Sequence, residues 1–137
     1  MAKIVQTAGR NALGTFAPEF AQYFIGQSYL APVSTSQVGV FNVTFEPGWN
    51  NWHVHHAKEG GGQILVCVAG RGYYQEWEKE AVEMKPGDCI NIPEGVKHWH
   101  GAAPDSWFSH HAIEVPSVDG SNEWLEAVSD EQYGVLK

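Results

Sequence analysis

From Val38 onward, apolar and polar residues alternate with period two. In "VGVFNVTFEPG", Phe41, Val43 and Phe45 share one face, and Asn42, Thr44 and Glu46 share the other. Successive side chains of a strand point to opposite sides, so the pattern predicts a half-buried strand that ends at the turn pair Pro47-Gly48. "QILVCVAGRG" reads as a nearly all-apolar strand closing at Gly70-Arg71-Gly72, from which "GYYQEWE" returns. "AVEMKPGDCINIPEG" holds two short strands divided by Pro86-Gly87 and closed by a turn at Pro93–Gly95. "SWFSHHAIEV" is the last clear strand and stops before Pro116. Short strands with turns about every eight to twelve residues predict an all-β barrel or sandwich.

The flanks break this rhythm. Residues 11–26 contain "APEFAQYF", where Pro18 suits the first turn of a short helix and Gly26 its stop. In "SNEWLEAVSDEQYGVL", Asn122 and Ser129 suit helix N-caps followed by acidic first turns. This tail is expected as one or two short helices on the outside of the barrel. There is no internal repeat or linker, so residues 1–137 are expected to form a single domain.

Composition narrows the function. At 43% hydrophobic and 18% charged residues, the chain has the make-up of a folded domain rather than a disordered one. Its formal charge of −8, with eight scattered basic residues, argues against nucleic acid, which needs a Lys/Arg footprint. No apolar run approaches the roughly 20 residues of a transmembrane helix. "MAKIVQTAGR" lacks a signal-peptide core, so a cytoplasmic location is expected. Cys67 and Cys89 sit in apolar runs without CxxC spacing and read as buried thiols.

The chemistry concentrates in "HVHHAKEGGGQ", His53 to Gln63. Alternation puts His53 and His55 on one face, where two imidazoles can converge on one ion. The Gly60-Gly61-Gly62 run lets the chain turn so that Gln63 enters the next strand on the face of Leu65 and Cys67. Much later, "IPEGVKHWHG" sets a Pro-x-Gly turn before His98. An antiparallel barrel brings such distant strands together.

These residues resemble the cupins. Their first motif (Gly, a spacer, His-x-His, a few residues, Glu, six residues, Gly) reads here as Gly48, His53, His55, Gln63 and Gly70. The second motif reads as Gly87, Pro93, Gly95 and His98, with Ala102 in place of a final Asn. The match spans roughly residues 38–115. The loop before Gln63 is longer than the common version, and Gln stands where Glu is usual. "TFEPG", "HWHGAAP" and "DEQY" make the chain similar to small bacterial manganese cupins, a group that includes hydroxynitrile lyases and is related to cupin domains associated with carboxymuconolactone decarboxylases.

The resemblance implies a cupin double-stranded β-barrel (jelly roll) holding one divalent metal on His53, His55, Gln63 and His98, with Mn expected and Fe, Ni or Zn as alternatives. Three imidazoles and an amide are all neutral, so the ligand shell keeps a formal +2 and favours anions. In the resembling lyases a histidine at the place of His110 faces the metal cavity and serves in acid/base chemistry; a hydrogen-bonded core histidine is the alternative. Glu114 shares that face and is the weaker catalytic candidate, since a strand end can lie in water. His111 is then expected to point outward.

His100, two residues beyond His98, is either a pocket residue on the same inward face or one standing behind the ligands or at the surface. Phe41 and Val43 are expected to line the cavity, and His56 to lie at its rim. The tryptophans read as core or interface residues. Glu76, Glu78, Lys79 and Glu80 read as a solvated hairpin.

The activity expected from the resemblance is a metal-dependent lyase acting on a small organic molecule, cleaving a cyanohydrin to a carbonyl compound and HCN. The alternatives are a dioxygenase, decarboxylase or isomerase of aromatic-acid catabolism, or a non-catalytic small-molecule-binding module. A homodimer or homotetramer is also expected, with the Phe- and Tyr-rich segment 15–30 as an interface.

Overall fold

A computed structural model describes residues 22–136. Among these residues, fourteen strands and one short helix follow in order. The strands are β1 (Phe24–Ile25), β2 (Ser28–Ser34), β3 (Val40–Phe45), β4 (Trp49–Asn50), β5 (His53–His56), β6 (Glu59–Gly60) and β7 (Gln63–Gly70). Then come β8 (Gly72–Glu76), β9 (Val82–Met84), β10 (Cys89–Ile92), β11 (His98–Ala102), β12 (Phe108–Glu114), β13 (Ser117–Val118) and β14 (Ser121–Trp124), with helix α1 at Asp130–Gly134.

The strands form two antiparallel sheets in the jelly-roll manner. One runs β1-β4-β11-β5-β14, with β8 also on β11 and β9 on β8; the other runs β10-β7-β12-β3-β2. A two-stranded ribbon joins β6 and β13. The turns at Pro47-Gly48, Gly70–Gly72, Pro86-Gly87 and Pro93–Gly95 fall where the sequence predicts them. They carry the chain from one sheet to the other: β7 leads to β8, and β9 to β10, across the sandwich. "GYYQEWE" therefore does not pair back on the preceding strand. Its partners are β11 and, through the 77–80 hairpin, β9.

Between the sheets lies a core of Val43, Phe45, Leu65, Cys67, Tyr74, Met84, Ile92 and Phe108. Each large side chain buried there is worth about 1.5–3 kcal/mol. A second cluster of Trp52, Tyr73, Trp99, Val128 and Tyr133 covers the outer face of the first sheet. Trp99 alternates with His98 and His100, so one strand gives its ring to the outer cluster and its imidazoles to the interior. Helix α1 is part of this cover. Ser129 caps it with a complete capping box, as the sequence predicts. Tyr133 stacks on Trp49 at 3.8 Å and donates to the Ala102 carbonyl at 2.6 Å.

Several local expectations are corrected. Asn42 and Thr44 are buried rather than solvated, and satisfy part of their polarity through Asn42 Nδ2 to Thr44 Oγ1 (3.2 Å) and Thr44 with Ser109 (2.8 Å). Cys67 is buried, but Cys89 is exposed because β10 is an edge strand that turns it outward. The helix expected over 11–26 lies mostly outside the described residues. Within them Phe24–Ile25 is a strand, and Gly26, at φ 84°, turns between strands. Asn122 is not a helix cap: it sits in β14, paired with β5. Ladder bonds to a ready strand edge outweigh a local capping preference, which is worth only about 1 kcal/mol.

Candidate functional site

Strand β5 presents His53 and His55 to the interior, as alternation requires, and both are buried. Strand β11 lies beside it with His98 directly opposite His53. The ring centroids of His53 and His98 are 4.2 Å apart, and each lies 5.2 Å from that of His55. One ligating nitrogen from each of the three falls within 4.8 Å of the others.

The remaining ring nitrogens fix the tautomers. Nδ1 of His53 donates to the Asn51 carbonyl (2.9 Å), Nδ1 of His98 to the Val96 carbonyl (2.9 Å), and Nδ1 of His55 to Asn122 Oδ1 (2.7 Å). Each Nε2 then carries a free lone pair, and those of His55 and His98 are buried without any hydrogen-bond partner. Burial pushes His53 well below the ordinary histidine range and His98 down to about 4, so these two rings are neutral, the form that ligates.

Gln63 reaches the same place from β7 in the opposite sheet. It is buried, its Nε2 donates to Glu114 Oε1 at 3.1 Å, and its Oε1 has no partner. The loop before it requires glycine: at Gly62, φ is 93° and a Cβ would stand 2.3 Å from the Ile92 carbonyl oxygen. Two buried imidazole nitrogens and one amide oxygen left unpaired, with His53 beside them, make a donor set that fits a divalent ion of the Mn–Zn series.

His110 lines the same cavity from β12. It is fully buried, neither ring nitrogen has a partner in good hydrogen-bond geometry, and burial, partly offset by the His111 backbone, pushes its pKa down to about 4. His100 stands edge-on to it at 4.9 Å, with its backbone N–H donating to Asn50 Oδ1 at 2.9 Å. Burial, followed by the neighbouring His110, pushes His100 well below the usual range.

The cavity has a volume of about 170 Å³. Phe24, Leu30, Phe41, Val43, Ala112 and Trp124 form its apolar wall, and His53, His55, His100, His110, Gln63, Glu114, Asn50 and Asn122 its polar one. A small molecule with one polar group and one apolar substituent suits such a lining.

The structure thus brings His53, His55, Gln63, His100, His110, Glu114, Phe41 and Val43 to one cavity, with His98 clustered on His53 and His55 behind it. Glu114 is not in open water but half-buried and bonded to Gln63. His56 is an exposed rim residue held by Glu123 at 2.8 Å, and His111 is half-buried on the other face of β12. Sequence reasoning missed Asn50, Asn122, Phe24, Leu30 and Trp124. Trp124 packs 4.6 Å from His53 and stacks on Tyr23 at 4.6 Å, so this part of the segment 15–30 packs on its own barrel. No spacing marks these residues, because each reaches the site only through strand pairing.

A family model described as a cupin domain matches residues 41–107. A protein of Granulicella tundricola named (R)-mandelonitrile lyase is 37% identical over 118 residues, which are 82% of this chain and 87% of that one. The crystal structure of a cupin-like protein from Thermotoga maritima superposes with a TM-score of 0.76 at 36% identity, covering 90% of this chain and 93% of that one. A sugar phosphate isomerase of the cupin superfamily from Silicibacter pomeroyi shares the fold, with a TM-score of 0.60 at 19% identity over 72% of this chain and 65% of that one.

Proposed function

We propose that this chain, which belongs to the cupin family, is a metal-dependent lyase that cleaves a cyanohydrin to a carbonyl compound and HCN. The observation that carries the reading is the cluster of His53, His55 and His98, whose ligand atoms lie within 4.8 Å of one another, beside a cavity lined by Gln63, the buried His110 and an apolar wall. The name and 37% identity of the Granulicella protein support it.

His53, His55, Gln63 and His98 would hold one divalent ion, with manganese the proposed metal. Such an ion supplies Lewis acidity toward a hydroxyl oxygen. His110 takes the hydroxyl proton, which its neutral ring is able to do. The electron pair of the C–C bond leaves with the nitrile carbon as cyanide, the hydroxyl carbon becomes a carbonyl, and the proton on His110 passes to cyanide as HCN. The apolar wall holds the organic substituent and keeps water from it. His100 and Asn50 close the polar side next to His110.

The test is purified protein loaded with Mn²⁺ and assayed on mandelonitrile and several aliphatic cyanohydrins by release of the carbonyl product. Cleavage is expected, with His110→Ala losing it while keeping its metal. No cleavage above a metal-only control on any of these substrates overturns the proposal.

A further inference from the structure

The register of β12 against β7 contains an irregularity that bears directly on the site. Ser109 pairs with Ala69, but His110 pairs with Cys67, so Val68 is an extra residue in β7. Beyond this bulge every pairing is shifted by one, and Glu114 stands directly opposite Gln63. Without it, the partner of Glu114 would be Ile64, whose side chain lies on the other face of β7. Bulges near active sites re-aim side chains, and this one brings a carboxylate onto the amide of a candidate ligand. The strand end is held there by backbone bonds from the Glu114 N–H to the Gly39 carbonyl (2.9 Å) and from the Val115 N–H to the Gly62 carbonyl (3.3 Å).

An amide has two ends, and only its oxygen can ligate a cation. A carboxylate only accepts hydrogen bonds, so the end of Gln63 that faces Glu114 must be the NH₂. The 3.1 Å bond therefore turns Oε1 away from Glu114, into the interior where it has no partner. Glu114 also faces a second, polar cavity lined by His56, Ser117, Ser121 and Asn122, which keeps its carboxylate in polar surroundings. The negative charge that Gln63 lacks as a ligand thus stands one hydrogen bond behind it.

We propose that Glu114 is a positioning residue, forming with Gln63 a single relay in which the amide contacts the metal and the carboxylate fixes the amide's direction and supplies its charge. The inference rests on the reading of His53, His55, Gln63 and His98 as one metal site. Mn²⁺ binding is measured by calorimetry on the full chain, and the spectrum of the Co²⁺ form is recorded, for the wild type, Glu114→Gln, Glu114→Ala, Gln63→Glu and the exchange variant Gln63→Glu/Glu114→Gln.

Glu114→Gln is expected to weaken Mn²⁺ binding by about tenfold, and Glu114→Ala by more, within the range known for groups that orient metal ligands. Both are expected to alter the Co²⁺ spectrum. The exchange variant restores a donor facing a carboxylate, with their places swapped, and is expected to bind Mn²⁺ about tenfold more tightly than Gln63→Glu alone, where two carboxylates would face each other. A purely structural Glu114 would give no such rescue. Wild-type affinity and spectrum in both Glu114 variants, or equal affinity of Gln63→Glu and the exchange variant, overturns the relay alone. Absence of Mn²⁺ and Co²⁺ binding by the wild-type chain overturns the metal site and the relay with it.

Discussion

Nδ1 of His55 donates to Oδ1 of Asn122 at 2.7 Å, and the two residues are direct partners in the β5–β14 ladder. A residue 67 positions further along the chain therefore sets the tautomer of a candidate ligand in the first histidine pair. Replacing Asn122 by Ala frees that ring, and Mn²⁺ affinity is expected to fall by about tenfold, read by calorimetry. Asn122→Asp places a carboxylate on the same nitrogen, makes the ring more basic, and is expected to bind at least as tightly as the wild type.

His110 contributes to the acid side of the stability profile, alongside the similarly depressed His53, His98 and His100. Its folded-state pKa is about 4, below the ordinary value of about 6.5, because burial penalises the imidazolium. Between those two values the unfolded chain binds a proton that the folded chain does not. Stability is therefore complete above about pH 6.5 and declines as pH falls toward 4, by about 1.4 kcal/mol per pH unit for this one group. Urea midpoints of the metal-free protein from pH 7.5 to 4.5 are expected to show this decline, and His110→Phe is expected to make it shallower.

Trp124 forms the apolar wall beside His53. Trp124→Ala widens that side, and the ratio of kcat/KM for an aryl over a small alkyl cyanohydrin is expected to drop by about tenfold, the scale of one lost apolar contact surface. An unchanged ratio would mean that the substituent lies elsewhere.

Gly101 tests the packing beneath the second histidine pair. A Cβ there would stand 2.5 Å from the Gly48 carbonyl oxygen and 2.5 Å from the Trp49 Cα. Both are backbone atoms and cannot swing aside. Gly101→Ala is expected to cost about 1–3 kcal/mol, seen as a lower urea midpoint with an unchanged slope.

The interior of the barrel was legible because two kinds of signal agree: alternation in "FNVTF" beside the apolar run "QILVC", and Pro/Gly turns at fixed distances from His53, His55 and His98. Gln63 and His110 were placed on the correct faces by the same alternation. What escaped was set by pairing across long sequence distances. Nothing in "SNEW" tells that it will lie along "HVHH", so Asn122 looked like a helix cap and Trp124 like ordinary core. Glu114 was on the right face but given the wrong surroundings, because the bulge at Val68 leaves no mark in the composition of an apolar strand. Cys89 shows the same blindness: an edge strand and a central one read alike until their neighbours are known.

The donor set of the site is divided unequally between the two sheets. His53, His55 and His98 belong to the β5–β11 sheet, while Gln63 belongs to the β7–β12 sheet. A metal held by all four would act as a rivet across the sandwich, in a position no backbone hydrogen bond can occupy. Separating the sheets, the natural first move in unfolding such a structure, would then require the rivet to break first. The ion would thus govern how slowly the barrel comes apart more than how fast it forms, and a chelator would be expected to shorten the lifetime of the folded state long before it changed its shape.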